Sequence, residues 1–228
     1  MQETRKHFHE ELGALELELL AMGELAGSMV QRAVEAIVQQ DATIAEAVIE
    51  GDDEVDDLYL KIDAATLQLL ALQSPVAADL RLVSAILHSN LHLERIGDQA
   101  VNVAKLFLAT KDEPGSEPMR QQIDEMGTIV ISMLRTALEG FARRDLELVM
   151  KVPEMDDPVD RLNRATHLEA LKLADDARRL DWGMHMNMAA RALERVGDNT
   201  VDIAEQVRFL LTGDFQEFTD ASHPVNIE

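Results

Sequence analysis

Twice in this chain a glutamate is followed four residues later by an aspartate, with a glycine just before the second acid. The first copy is Leu93-Glu94-Arg95-Ile96-Gly97-Asp98, and one hundred positions on stands Leu193-Glu194-Arg195-Val196-Gly197-Asp198. On a helix, positions i and i+4 share a face, so Glu94 adjoins Asp98 and Glu194 adjoins Asp198. An empty pair of this kind is unfavourable. Like charges at that spacing cost about 0.2 to 0.5 kcal/mol, and a glycine inside a helix costs a further ~0.5 to 1 kcal/mol relative to alanine. Asn102 and Asp202 extend each pair by one more turn. The result is an oxygen-rich strip suited to hard divalent or trivalent cations such as iron, manganese, magnesium or calcium.

Glu94 also occupies a slot that its neighbours at seven-residue spacing, Leu80, Leu87, Val101 and Leu108, fill with aliphatic side chains. A carboxylate there needs a partner. The bland alternative is an acidic helix face in water, common for a single pair; the same glycine between the same acids in both halves favours a bound ligand. Gly97 and Gly197 would leave room for an ion or a neighbouring helix. Asp52, Asp53, Asp56 and Asp57, mirrored by Asp156, Asp157 and Asp160, form a second tier of candidate ligands, with helix capping accounting for one member of each group.

Other polar residues read as ordinary. His88 and His92 are four apart, but their face turns away from Glu94 and Asp98, which makes them solvated histidines. His185 lies in a run with Met184, Met186 and Met188 that reads as core packing. Arg95, Arg195, Asp79 and Arg81 read as surface ion-pair partners. A carboxylate-bridged di-iron enzyme or an iron-storage bundle is the rival from another class, but such sites use Glu-x-x-His, and none of the seven histidines has a glutamate three positions before it.

The elements that must hold these acids are helical. Aromatic residues are 4% of the 228, against 46% hydrophobic residues overall, which favours aliphatic helix packing over sheet. The chain has no cysteine, so thiolate sites are excluded. With a net charge of −22 it repels phosphate backbones and anionic lipid, so no nucleic acid is expected as partner and a membrane only through partner proteins. The first twelve residues are charged rather than apolar, and no apolar run approaches the roughly 20 residues of a membrane span, so cytoplasm is the expected location.

The duplication extends upstream at an offset of 104, through Met29/Met133, Asp41/Asp145, Asp52/Asp156, Val55/Val159 and Leu58/Leu162. Within each half the periodicity predicts three helices. In the first half they run over residues 4–40, then from Asp52 or Asp53 to Ser74, then from Ser74 as N-cap with Pro75 at the first helical position to about Thr110. In the second they run over residues 118–143, 158–179 and 183–211, with Gly213 as the stop. The expected organisation is a first three-helix repeat over residues 1–112, a linker over 113–117 marked by Pro114 and Gly115, a second repeat over 118–213, and a loosely held tail over 214–228.

The chain resembles the PhoU family of phosphate-transport regulators across nearly its whole length. The segments that carry the resemblance are Val48-Ile49-Glu50-Gly51-Asp52-Asp53, Pro75-Val76-Ala77-Ala78-Asp79-Leu80-Arg81, both Glu-Arg-Ile/Val-Gly-Asp copies, and Leu211-Thr212-Gly213-Asp214-Phe215. The resemblance implies an all-α fold of two tandem three-helix bundles, PhoU-like and spectrin-repeat-like, related by approximate twofold symmetry. It implies a cytoplasmic, non-catalytic negative regulator that links the ATPase subunit of a phosphate ABC transporter to the sensor histidine kinase of the phosphate response, and a homodimer. It also implies bound metal, iron first, with manganese, magnesium, zinc and calcium as alternatives, at Glu94, Asp98, Glu194 and Asp198. Asn102 departs from the acid at Asp202, so the two sites are expected to differ in affinity.

Overall fold

The computed structural model describes residues 2–218. The part of the expected tail over residues 219–228 lies outside the described residues.

Eight helices follow one another: α1 (Gln2–Gln39), α2 (Ala42–Glu50), α3 (Asp52–Gln73), α4 (Ala78–Ala109), α5 (Glu117–Arg143), α6 (Leu146–Val149), α7 (Val152–Leu171) and α8 (Ala177–Thr212). The described residues contain no strand. Each half is therefore the expected three-helix plan with one short helix added after its first long one. The repeat itself encodes the addition. Asp41 and Asp145 stand at equivalent positions, and both are N-caps: Asp41 accepts from the Thr43 amide, Asp145 from the amides of Glu147 and Leu148. Capping these amides lets the chain restart a helix immediately after a sharp turn, where Gln40 and Arg144 each adopt a positive φ.

Several predicted boundaries shift. Ser74 does not open α4; at φ 44° it closes α3 in the left-handed region, and Pro75 follows as a residue that cannot continue that helix. Helix α4 begins at Ala78, after Ala77 at φ 50° and ψ −116°, with no side-chain cap. In the second half Pro153, in the first turn of α7, opens that helix, and Pro158 lies inside it. The chain leaves α7 at Leu171 instead of continuing to residue 179. Asp176 then caps α8 by accepting from the amides of Arg178 and Arg179, so α8 starts six residues before the predicted Gly183.

Within each half the first and last long helices sandwich the medium one, α1 with α3 and α4, α5 with α7 and α8. The halves lie side by side, α1 against α5 and α4 against α8, so each long helix meets its own repeat equivalent, the pattern an approximate twofold axis produces. Gly23 and Gly127 permit the α1–α5 approach: a Cβ on Gly127 would lie 2.7 Å from Cγ2 of Val34, and one on Gly23 2.6 Å from Cδ1 of Leu138. One continuous aliphatic core results, with Leu19, Met22, Ile37, Ile86, Leu93 and Ile96 buried in the first half and Met119, Ile123, Met126, Met133 and Phe141 in the second. Of the methionine run expected to pack there, only Met186 is buried; Met184 and Met188 are exposed. Residues two apart on a helix point to different faces, so all three cannot share the core.

Candidate metal centre

The two Glu-x-x-x-Asp motifs sit on α4 and α8, each beside the start of the medium helix of its own half. In the first half Gly97 sets the distance between them. A Cβ there would lie 3.2 Å from Cγ1 of Val55, so the glycine lets α3 close onto α4. That approach gathers Asp52 and Asp56 of α3 with Glu94 and Asp98 of α4. Burial holds the Glu94 carboxyl above the ordinary carboxylate range, and Asp98, Asp56 and Asp52 push it further in the same direction. Burial raises Asp52 too, with Asp56 and Asp98 adding to it and Lys105 opposing. Asp53 is exposed and acts on Asp52 alone among these; Asp57 and Asn102 are exposed.

In the second half the equivalent glycine makes room for a carboxylate oxygen instead of an aliphatic side chain: a Cβ on Gly197 would lie 2.5 Å from Oδ1 of Asp156. Asp156, Asp157 and Asp160 of α7 and Asp198 and Asp202 of α8 line one cleft of about 540 Å³, together with Glu154, Glu205 and Glu217. Asp160 is also 3.6 Å from Arg164. Glu194 lies beside this cleft with its side chain only 9% exposed. Its Oε1 accepts from Arg191, while its Oε2 is buried with no hydrogen-bond partner. Burial, then Asp198, then Asp160 push its carboxyl up to about 7, against the opposing charges of Arg191 and Arg195.

Oxygen donors are thus concentrated at both helix pairs, and at the second a buried Glu194 oxygen beside the cleft lacks a partner, a desolvation cost that a nearby cation would offset. The residues present fit a hard cation. Among the described residues no three such side chains are already gathered at ligating geometry, so a cation would have to draw them in.

Two residues stand differently from their sequence reading. His92 is not a solvated side chain: it is 13% exposed, and its Nδ1 lies 3.0 Å from Oδ1 of Asn199 and 3.4 Å from Oδ2 of Asp202, across the α4–α8 seam. A face that turns away from Glu94 is therefore a face that meets the other repeat. Arg81 reaches the far end of α8, its Nε donating to the Leu210 carbonyl at 3.3 Å. Asp202 consequently serves both the cleft and the seam; burial raises its pKa and His92 and Arg95 pull it back. His88 is exposed as expected, and Asp79 lies 3.8 Å from His9.

Glu154, Glu205 and Glu217 were missed in the sequence. Glu205 was within reach, since it follows Asp202 at i+3 on the same helix face. Glu217 was not, because it arrives only when the chain beyond α8 turns back.

A family model described as PhoU domain matches the chain twice, over residues 19–107 and 123–207. The chain is 34% identical to the phosphate-specific transport system accessory protein PhoU homolog of Caulobacter vibrioides over 214 residues, 93% of each chain. It is 35% identical to the homolog of the same name from Pseudomonas aeruginosa, covering 96% of this chain and 88% of that one. Among solved structures, PhoU from Pseudomonas aeruginosa superposes with a TM-score of 0.86 at 35% identity, over 91% of this chain and all of the other. The phosphate transport system regulatory protein PhoU from Streptococcus pneumoniae superposes with a TM-score of 0.83 at 28% identity, over 92% of this chain and all of the other.

Proposed function

The chain belongs to the PhoU domain family of phosphate-transport accessory and regulatory proteins, and from that premise we propose that it is a metal-binding negative regulator of phosphate uptake and phosphate-starvation signalling. In this reading it docks on the ATPase subunit of a phosphate ABC transporter and on the sensor histidine kinase of the phosphate response, in the cytoplasm and as a homodimer. Its role is to couple the two, and it carries out no catalysis. The relatives' names, which speak of the phosphate-specific transport system, support the transporter connection. No helix among the described residues is long and apolar enough to cross a membrane, so contact with the transporter would run through protein surfaces.

The observation that carries the metal reading is Glu194: a carboxylate nearly out of water, one oxygen unpaired, facing the negative charges of Asp198 and Asp160. Glu194, Asp198, Asp202, Asp156, Asp157 and Asp160 would hold a cation in the second half, and Glu94, Asp98, Asp52 and Asp56 in the first. Asn102, Asp53 and Asp57 are peripheral to the first set. The cation, iron first with manganese, magnesium, zinc or calcium as alternatives, would supply positive charge that fixes α3 on α4 and α7 on α8. Purified protein carrying E94Q, D98N, E194Q and D198N should lose its metal by elemental analysis; unchanged metal content would refute this site. Capture of the ATPase subunit and the kinase from cells at high and low phosphate tests the regulatory half.

A further inference from the structure

Past the end of α8 the chain does not run free. Gly213, at φ 80°, turns it back, and residues 214–218 lie along the helix they have just left. Arg208 of α8 holds this return: Nη1 donates to the Asp214 carbonyl at 3.1 Å and Nη2 to Oε1 of Gln216 at 2.8 Å. Phe215 packs edge-on against Phe209, with ring centroids 6.2 Å apart. The Phe218 amide then donates to Oε1 of Glu205 at 2.5 Å, and Phe218 packs against the core. The return places Glu217 and Phe218 in the wall of the acidic cleft of the second half, with Asp198, Asp202 and Glu205.

We propose that residues 213–218 form a strap whose closure over this cleft is coupled to cation binding there, with Glu217 as an added oxygen donor. The inference rests on the metal reading above and deepens it. Electrostatics supply the coupling. Without a cation, Glu217 shares the cleft wall with Asp202 and Glu205, so the strap closes against like charge. A cation in the cleft reverses the sign of that interaction and draws the strap shut.

The first half has no such device. The position equivalent to Glu205 is Lys105, whose charge already acts on Asp52, and the position equivalent to Asp202 is Asn102. The chain leaving α4 is drawn instead to the start of α8, where Arg178 binds Glu113 and the Asp112 carbonyl. One half thus carries a built-in cation and the other extra carboxylates, so the second is the tighter and the gated site.

Hydrogen exchange of residues 213–218 in the full chain, with and without Mn²⁺, tests this alongside calorimetry of Mn²⁺ binding. Mn²⁺ should slow exchange in the wild type and in E94Q/D98N, and leave it unchanged in E194Q/D198N. E217Q, at an exposed position that does not threaten folding, should weaken the tighter Mn²⁺ site about tenfold. If calorimetry records binding while strap exchange is the same with and without Mn²⁺, or if E217Q binds as wild type, the strap proposal is wrong and the metal reading stands. No binding of Mn²⁺ to any form would overturn both.

Discussion

Glu194 and Glu94 occupy equivalent positions in two helices, yet burial treats them differently. Glu94 is part-exposed, whereas Glu194 is buried with one oxygen unsatisfied, and its carboxyl titrates near 7 in the fold against 4.5 for an ordinary glutamate. Between those values the native state keeps a proton that the unfolded chain has released. Its contribution to stability is therefore complete below pH 4.5 and is lost as pH rises to about 7. Metal-free protein should show a melting temperature that falls across this window, and E194Q should flatten the fall. A cation competes with the same proton, so Mn²⁺ affinity at the second cleft should strengthen as pH rises through about 7. A melting series in buffered steps, with and without chelator, checks both signs.

At the scale of the element, the two halves use one design with different closures. Glycine on the last helix lets the medium helix approach in each, but Gly97 admits Val55 and Gly197 admits the Asp156 carboxylate. A capped short helix turns the chain in each, through Asp41 and Asp145. The junction between α3 and α4 is less well made than these. Ala77 holds φ 50° and ψ −116°, a region that costs a residue with a Cβ of order 1 to 3 kcal/mol. A77G should relieve it and raise stability by roughly 1 kcal/mol in denaturant unfolding, with no change in metal affinity. A loss of stability would mean that the junction's conformation is not strained.

The whole molecule is two bundles joined along α1–α5 and α4–α8, with Arg144 bridging to Glu16 at one seam and His92 meeting Asn199 and Asp202 at the other. Because Asp202 belongs to the cleft as well as to the seam, a cation bound there would bear on how the halves are held. A ligand that binds only the native state at one hundred times its Kd stabilises by about 2.7 kcal/mol, which for a chain of this size corresponds to roughly 5 to 10 °C in melting temperature. Saturating Mn²⁺ should produce a shift of that order in the wild type, most of it lost in E194Q/D198N and most of it kept in E94Q/D98N. Equal losses in the two variants would show that the halves contribute alike. The net charge of −22 makes the shift smaller at high salt, where counterions already screen the acids.

The sequence by itself determined the helical class, the duplication and the paired acids, because each is a local matter: side chains four apart share a helix face wherever the helix lies, and a repeat can be read without knowing how it packs. The helix limits were partly legible. Ser74-Pro75 reads equally as a start or a stop, since both residues occur at either end of a helix, and only the backbone at Ser74 decides for a stop. Tertiary structure alone decided that His92 lies at a seam, that Glu194 is buried while Glu94 is not, and that Glu217 enters the cleft. The first depends on surfaces that meet across more than a hundred residues of chain, and the other two on how α7 and the chain beyond α8 pack against α8. Desolvation and long-range charge act through space, and spacing along a sequence does not measure either.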